Sequence, residues 1–283
     1  MSEEKNTSTC IATPTEVGQI GENAGAYKAL KKQYFSFLSA IPAGAFIALA
    51  FVFYATTQTG TTETHWGLTK LVGGLVFSVG VIMVVVCGSE LFTSSTMTLV
   101  ARACGRITTW QMLRNWCVVY CGNFIGAIFI ALLIWFAGQT MAANGQWGLT
   151  ILKTAQHKIH HTWVEAFCLG ILCNIMVCIA VWMSYAGKTL IDKAFIMILP
   201  IGLFVASGFE HSVANMFMIP LGIITAQGSS AEFWQMIGLH PEQFSDLTLY
   251  HFLVKNLIPV TLGNILGGGV CIALYQWYCN RPH

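Results

Sequence analysis

Long apolar segments with few charges alternate with short polar segments along the chain. A membrane-spanning helix needs about 20 mostly apolar residues. Four segments of this length contain no Asp, Glu, Lys or Arg: 33–62, 115–152, 166–187 and 256–280. Two further apolar segments are interrupted, at Glu90 and at Glu210. The pattern predicts six spans, with the second and fifth broken near their middle: 34–57, 68–104, 110–137, 163–185, 193–226 and 255–279.

The composition agrees with a protein that is mostly surrounded by lipid. Only 9% of the residues are charged and 55% are hydrophobic, and the mean hydropathy is +0.64. Soluble domains carry about 25% charged residues. Disordered chains combine low hydrophobicity with high net charge, and a net charge of +2 argues against a nucleic-acid partner. These values predict an all-α membrane protein.

The basic residues predict the orientation of the chain. If the N-terminus is cytoplasmic, most of the 14 Lys and Arg residues fall on the cytoplasmic side. The other side holds four: Lys70, Lys153, Lys158 and Lys255. Because cytoplasmic loops carry an excess of Lys and Arg, both termini are expected in the cytoplasm.

The N-terminal segment predicts a surface helix, because Val17, Ile20, Ala24 and Tyr27 recur at helical spacing. Such a helix could lie on the membrane or act as a lid. A solvated tail that is only partly ordered is the alternative. The predicted organisation has five parts: a tail with an amphipathic helix (1–33), a first three-helix repeat (34–137), a periplasmic loop (138–162), a second three-helix repeat (163–279) and a C-terminus (280–283).

Two copies of one sequence pattern indicate an internal repeat. The pattern N-x6-G-N-x-x-G begins at Asn115 in the third span and at Asn256 in the sixth. The interruptions in the second and fifth spans occupy matching places. A unit of three spans must invert when it is repeated, and inverted repeats place their broken helices together near mid-membrane, where the transport site usually lies.

Three titratable residues mark these interruptions. A carboxylate inside a span is costly, and the matching positions of Glu90 and Glu210 favour a structural role, in which each accepts hydrogen bonds from freed backbone N–H groups. Direct proton transfer is the alternative. His211 is unique to the second copy, and histidine changes charge near neutral pH. It is therefore the candidate pore residue.

Other clusters of reactive side chains carry less information. His157, His160 and His161 resemble a metal-binding spacing, but with Lys153 and Lys158 they fit an anion-attracting vestibule better. The ten cysteines contain no CxxC pair and are expected to pack as small residues. No metal and no cofactor is therefore expected.

Several motifs resemble the formate/nitrite transporter family. They are Gly88–Ser94, Ala194–Pro200 and Gly208–Met216, while Asn144–Gly148 and Ala155–Thr162 look most like its formate-channel branch. The resemblance extends from about Gly25 to Trp277. It implies an aquaporin-like protomer with its own pore, six spans in an inverted 3+3 repeat, assembly as a homopentamer and location in the bacterial inner membrane.

The resemblance also implies roles for individual residues. His211 matches the pore histidine and Thr93 the threonine that hydrogen-bonds it. Two asparagines match pore-facing positions and one lysine a vestibule position: Asn174, Asn264 and Lys158. Two phenylalanines, Phe77 and Phe204, resemble the outer constriction of the family's pore. Three aliphatic residues resemble its inner slit: Val81, Leu91 and Val177.

The function that this resemblance implies is passage of formate, as the anion or as formic acid, with a pH dependence set by the pore histidine. Nitrite, hydrosulfide, acetate or lactate on the same fold is the alternative. A water channel with paired Asn-Pro-Ala motifs is disfavoured, because no Asn is followed by Pro, and no pattern indicates an enzyme. A cytoplasmic formate-producing enzyme is left open as a partner.

Overall fold

The regular structure of the described chain is helical. The computed structural model describes residues 11–61 and 65–280, so Lys5, Cys10 and the predicted C-terminus beyond Asn280 lie outside it. The helices are α1 (Pro14–Leu30), α2 (Gln33–Gln58), α3 (Trp66–Val86), α4 (Phe92–Ser95), α5 (Leu99–Ala103), α6 (Thr109–Phe136), α7 (Gln146–Ile159), α8 (Trp163–Ser184), α9 (Leu190–Ala206), α10 (Ser212–Gly228), α11 (Ala231–Ile237) and α12 (His251–Asn280). Short 3-10 turns lie at Thr96–Thr98, Gln139–Met141 and Pro241–Phe244, and α12 contains π-helical stretches at His251–Leu257 and Leu266–Leu274.

Four helices begin with the same local device. A threonine before the first turn accepts a hydrogen bond from the third backbone N–H, and the side chain at that third position reaches back to the threonine N–H. This satisfies donors that a helix start leaves free. The four pairs are Thr13 with Glu16, Thr108 with Gln111, Thr162 with Glu165, and Thr189 with Asp192.

In the described part of the chain, five helices are long and apolar enough to cross a membrane: α2, α3, α6, α8 and α12. The apolar α9 is shorter, with 17 residues, and α10 continues beyond it. The chain is thus a multi-pass membrane protein whose fifth span is made of two helices in succession.

Both predicted interruptions are present, and they are built alike. The first break (residues 87–91) separates α3 from α4, and the second break (residues 207–211) separates α9 from α10. Gly88 and Gly208 take left-handed φ values of 65° and 73°, which a glycine adopts without strain because it has no Cβ. The next backbone N–H then turns back to the preceding helix, at 2.9 Å in each case.

Equivalent contacts confirm the internal repeat and add a helix to each copy. Helix α2 packs on α6 as α8 packs on α12, and α3 meets α9. The Asn115 side chain donates to the backbone oxygen of Lys28 at 3.1 Å, as Asn256 donates to that of Lys158 at 2.8 Å. Helices α1 and α7 therefore occupy equivalent places, and each copy has a surface helix before its spans.

Helix α1 docks on the rest of the protein through small residues. Ile20 and Tyr27 are exposed, whereas the buried side of α1 consists largely of glycine and alanine. These small residues let the helix approach α5 and the neighbouring 3-10 turn closely. Contact of the exposed apolar residues with the membrane stays a prediction.

Candidate functional site

A cavity of about 500 Å³ leads from one face of the molecule to the second break. It is called the main cavity here. Its walls include His211, Glu210, Phe77 and Phe204, and its wider part is bordered by basic side chains: Lys70, Lys153, His157, Lys158 and His161. A sequence-predicted constriction, the pore histidine and the vestibule lysine therefore share one space.

Two buried phenylalanine rings line the main cavity beside His211. Phe77 and Phe204 are almost completely buried, and their ring centroids are 5.9 Å apart in an edge-to-face arrangement. Phe204 in turn stacks on the imidazole of His211, with centroids 5.9 Å apart and planes 19° apart. The predicted outer constriction and the pore histidine therefore form one aromatic cluster.

His211 and Thr93 meet across the two repeats. Thr93 Oγ1 lies 3.1 Å from His211 Nε2, and His211 Nδ1 accepts the backbone N–H of Ala214 at 3.1 Å. Since Nδ1 is an acceptor, the neutral ring carries its proton on Nε2, which donates to Thr93 Oγ1. Both side chains are buried, so the ring is held in one tautomer and one orientation.

Thr93 is held by contacts with its backbone oxygen. Asn174 Nδ2 donates to that oxygen at 3.1 Å, Cys178 Sγ at 3.3 Å and Thr96 Oγ1 at 2.7 Å. Asn174 also donates to the backbone oxygen of Asn264 at 2.6 Å. Thus Asn174 lies directly beside the central pair, and Cys178 and Thr96 join it. Sequence reasoning treated Cys178 only as a packing residue, because a lone cysteine in a span gives no other signal.

Asparagine side chains, and not the glutamates, complete the two breaks. Asn123 Oδ1 accepts the backbone N–H of Phe92 at 2.8 Å, and Asn264 Oδ1 accepts that of Ser212 at 2.9 Å. The Asn264 amide also donates to the backbone oxygens of Gly170 and Glu210. Asn264 is fully buried and its side chain is occupied by backbone groups, and its pore-facing role stays a prediction.

The two glutamates form ion pairs. Glu90 Oε1 lies 2.8 Å from Lys31 Nζ, and Glu210 Oε1 lies 2.7 Å from Lys158 Nζ. The expectation that their carboxylates accept the freed backbone N–H groups is therefore wrong, since asparagine oxygens accept those of Phe92 and Ser212. Lys31 was missed as a site residue because one lysine among several in a polar segment carries no distinguishing pattern.

Further side chains complete the surroundings of the glutamates. Asn115 donates to Glu90 at 3.3 Å, and Asn256 donates to Glu210 at the same distance. Glu210 receives one additional bond, from Asn215 at 2.6 Å. A buried carboxylate is tolerated only when it is paired and hydrogen-bonded, and both glutamates meet this condition.

The basic border of the main cavity is positively charged but partly neutralised. Lys158 is paired with Glu210, and Lys70 Nζ donates to the hydroxyl of Tyr54 at 3.1 Å. Burial, together with the nearby His161 and Lys158, lowers the pKa of His157 below its ordinary value. His157 therefore remains neutral to lower pH than an exposed histidine, and the lysines provide most of the charge at neutral pH.

The residues assigned to the inner slit are buried. Val81, Leu91 and Val177 are all at most 1% exposed, and they are absent from the wall of the main cavity. Their role as a second constriction stays a prediction. Within residues 11–61 and 65–280, no group of three His, Cys, Asp or Glu side chains is placed to hold a metal ion.

Comparison with known proteins identifies the family. The profile of the formate/nitrite transporter family matches residues 15–278. The formate channel FocA of Haemophilus influenzae is 71% identical over 282 residues, which is 100% of this chain and 99% of that protein. The formate channel FocA of Escherichia coli K12 is 56% identical and covers 94% of both chains. A solved structure of a pentameric formate channel with formate bound is 48% identical, covers 87% of this chain and 97% of that chain, and superposes with a TM-score of 0.84. The chain belongs to the formate/nitrite transporter family.

Proposed function

We propose that this chain is a formate channel whose pH dependence is set by His211. The observation that carries the proposal is the His211–Thr93 pair, 3.1 Å apart, with His211 in the wall of the main cavity. Similarity to proteins named formate channels supports the substrate. Since the family transports and does not convert its substrates, no enzyme activity is assigned.

The basic border of the main cavity receives the anion. Lys70, Lys153 and Lys158 raise the local concentration of small anions, because charges that line a cleft focus the field into it. A carboxylate as small as formate reaches Phe204 within this space. Beyond Phe204 it loses its hydration, and an unpaired charge is costly in such an apolar environment.

His211 lowers this cost. The neutral ring offers Nε2–H and Thr93 offers a hydroxyl, so both can donate to a carboxylate that displaces their mutual hydrogen bond. When the ring carries a second proton, Nδ1 releases the Ala214 N–H, and transfer of one proton to the anion returns the ring to its neutral form. Neutral formic acid then passes Val81, Leu91 and Val177 without carrying charge into the slit.

The proposed setting is the bacterial inner membrane, with both termini in the cytoplasm and the main cavity open to the periplasm. The distribution of Lys and Arg supports this orientation. We propose a homopentamer in which each protomer has its own pore, on the basis of the pentameric structure to which the chain is similar.

Formate flux in liposomes that contain the purified protein tests the proposal. Uptake is expected to increase as the external pH falls, and His211→Asn or His211→Phe is expected to abolish that pH response, because neither replacement can take up a proton. The exposed His240 provides a matched control, and His240→Asn is expected to keep the response. An unchanged pH response in both His211 variants would overturn the proton-transfer role.

Competition separates formate from the other small anions. Unlabelled formate is expected to reduce uptake of labelled formate at lower concentration than nitrite, acetate or lactate does. Stronger competition by nitrite or hydrosulfide would assign the channel to that anion on the same fold.

A further inference from the structure

The backbone contacts of the two repeats align α1 and α2 with α7 and α8 residue by residue. The backbone N–H of Glu90 donates to the oxygen of Ser39, and that of Glu210 donates to the oxygen of Leu169. Asn123 donates to the oxygen of Ala40, and Asn264 donates to that of Gly170. These partners in α2 and α8 are 130 residues apart, as are Lys28 and Lys158, which accept from Asn115 and Asn256. The same register places His161 at the position of Lys31.

This register exposes a difference between the two ion pairs. In the first repeat, Lys31 makes the pair with Glu90, and the ammonium of Lys28 turns to Ser94 Oγ at 3.1 Å. In the second repeat, the equivalent of Lys28 makes the pair instead, because Lys158 contacts Glu210. His161 occupies the place of the pairing lysine, with Nε2 3.8 Å from Glu210 Oε1.

The imidazole of His161 lies close to Glu210 but makes no hydrogen bond to it. Its Nε2 is buried and has no hydrogen-bond partner among residues 11–61 and 65–280. The ring lies edge-to-face against His157, with centroids 5.0 Å apart, and it lines the main cavity. The titratable and charged groups that share the main cavity with it are Lys153, His157 and Lys158 on α7, Glu210 in the second break and Lys70 on α3. Glu165 on α8 also interacts electrostatically with it.

We propose that His161 is a pH-sensitive component of a binding site for small carboxylates in the main cavity. Protonated His161 forms an ion pair with Glu210 beside Lys158, just as Lys31 at the equivalent position forms one with Glu90. The Lys158 ammonium is then free to turn towards the cavity and bind the anion. At higher pH His161 is neutral, Lys158 is held by Glu210, and the site is weaker.

Two observations favour His161 over His157 as the responsive group. Of the two histidines, His161 is the one within ion-pair distance of Glu210, so its charge can compete with Lys158 for that carboxylate. Burial and the two neighbouring cations lower the pKa of His157, so its neutral form persists to lower pH. The first repeat carries a permanent lysine charge at the matching place, and the proposal therefore predicts pH-sensitive binding from one face of the membrane only.

The test measures the formate concentration that gives half-maximal uptake, the KM, in membrane vesicles of both orientations. It rests on the proposed formate channel function. Since transport of formic acid changes maximal flux with pH, the KM and not the rate is the informative quantity. Measurements at about pH 5.5 and about pH 7.5 bracket the range in which histidine changes charge.

From the face with the main cavity, the wild-type KM is expected to rise about fivefold between the lower and the higher pH, the scale of one partly screened charge. His161→Lys is expected to hold the KM low at both values, and His161→Gln to hold it high at both. From the opposite face neither substitution is expected to change the KM. His240→Gln, at an exposed position, is the control and is expected to behave as wild type.

A wild-type pH dependence of the KM in His161→Gln would overturn the inference while leaving the channel function intact. A wild-type KM that is the same at both pH values would also overturn it, without any variant. If the lysine variant does not assemble, the glutamine variant decides, because its KM at low pH must equal that of the wild type at high pH. Absence of formate uptake by the wild type would instead refute the channel function itself.

Discussion

The first and second breaks share a frame but differ in the side chains they place at the centre of the molecule. In both, an asparagine from the following span accepts a freed backbone N–H, and a glutamate pairs with a lysine. The residues that follow the two glutamates differ. His211 stands where the first break has Leu91, and Thr93 stands where the second has Val213.

The difference separates what the fold needs from what transport needs. Interrupting a helix inside a membrane frees backbone groups that lipid cannot satisfy, so both breaks carry an asparagine at the same position and a glutamate paired with a lysine. The proposed chemistry of the pore needs one proton carrier, so the residues at the ends of the two breaks differ.

A second pair of equivalent positions also differs. Gly44 packs against the backbone oxygen of Asn123, and a Cβ at this position would come within 2.0 Å of that oxygen. Its equivalent in the second repeat, Asn174, donates a hydrogen bond to the backbone oxygen of Asn264.

The largest effect is expected where the two breaks are most alike. Asn123→Ala and Asn264→Ala each remove three hydrogen bonds to backbone groups, and we expect each to destabilise the protein by about 4 kcal/mol, at about 1–1.5 kcal/mol for each bond. Thermal unfolding in detergent measures this loss. Similar losses would establish the shared frame, and tolerance of either substitution would contradict it.

The next effect distinguishes the two ion pairs. Glu210→Gln leaves the side chain of Lys158, which is 12% exposed, without its counter-charge, whereas Glu90→Gln leaves that of Lys31, which is 20% exposed and also contacts Ser39. We expect losses of about 3 kcal/mol for the first and about 1 kcal/mol for the second, because breaking a pair costs more when the remaining charge is more buried.

Lys158→Met provides the control for this comparison. Combined with Glu210→Gln it removes both charges, and the double variant is expected to recover part of the stability that Glu210→Gln loses. Denaturant unfolding of the single and double variants measures the coupling. Simple additivity of the two losses would show that the pair makes no net contribution.

A smaller effect is expected at a position where the second repeat has an aromatic residue and the first has an aliphatic one. Phe204 covers His211, while its equivalent in the first repeat is the smaller Val84. Phe204→Ala is expected to let larger carboxylates reach His211 and to reduce the preference for formate over lactate about tenfold, which corresponds to about 1.4 kcal/mol. Parallel flux measurements with both anions give the ratio, and Val84→Ala is expected to change it less.

The smallest effect concerns a contact near the mouth of the main cavity. Asp246 pairs with His160 and accepts from Gln156 at 2.9 Å. Partial burial raises the pKa of Asp246, but these bonds outweigh it, so the pKa lies below the usual value. The stability from this carboxylate is thus present above its unfolded pKa and is lost as the pH falls through the lower folded pKa.

Asp246→Asn is accordingly expected to reduce stability at neutral pH by at most about 1 kcal/mol, since the pair is partly exposed, and to lose that difference below about pH 4. Unfolding midpoints across pH measure it. A difference that increased as the pH fell would contradict the assignment.

Much of this architecture could be predicted from the sequence because lipid imposes strict rules. Charges are so costly inside a span that Glu90, Glu210 and His211 marked both breaks. The repeated asparagine and glycine spacing marked the repeat. The α1–α7 equivalence was missed because α1 docks through glycine and alanine, which produce no hydrophobic stripe.

The unexpected contacts at the site share one physical cause. Asn264, Glu90 and Glu210 are polar residues buried in spans, and the sequence does not reveal whether such a group meets backbone, another side chain or a solute. Only the distances decide, and they assign Asn264 to backbone groups and the glutamates to lysines. Of the three residues, Glu210 also lines the main cavity.

The hydrogen bond between Thr93 and His211 makes the central pair a joint product of two unlike halves. A symmetric dimer of the first half would set Thr93 and Leu91 against their own copies, with no proton carrier. A dimer of the second half would set two imidazoles and two valines together, and two protonated rings would repel each other. Doubling a gene segment could thus yield the scaffold but not the acid–hydroxyl pair, which arises only after the two copies acquire different residues at these two positions.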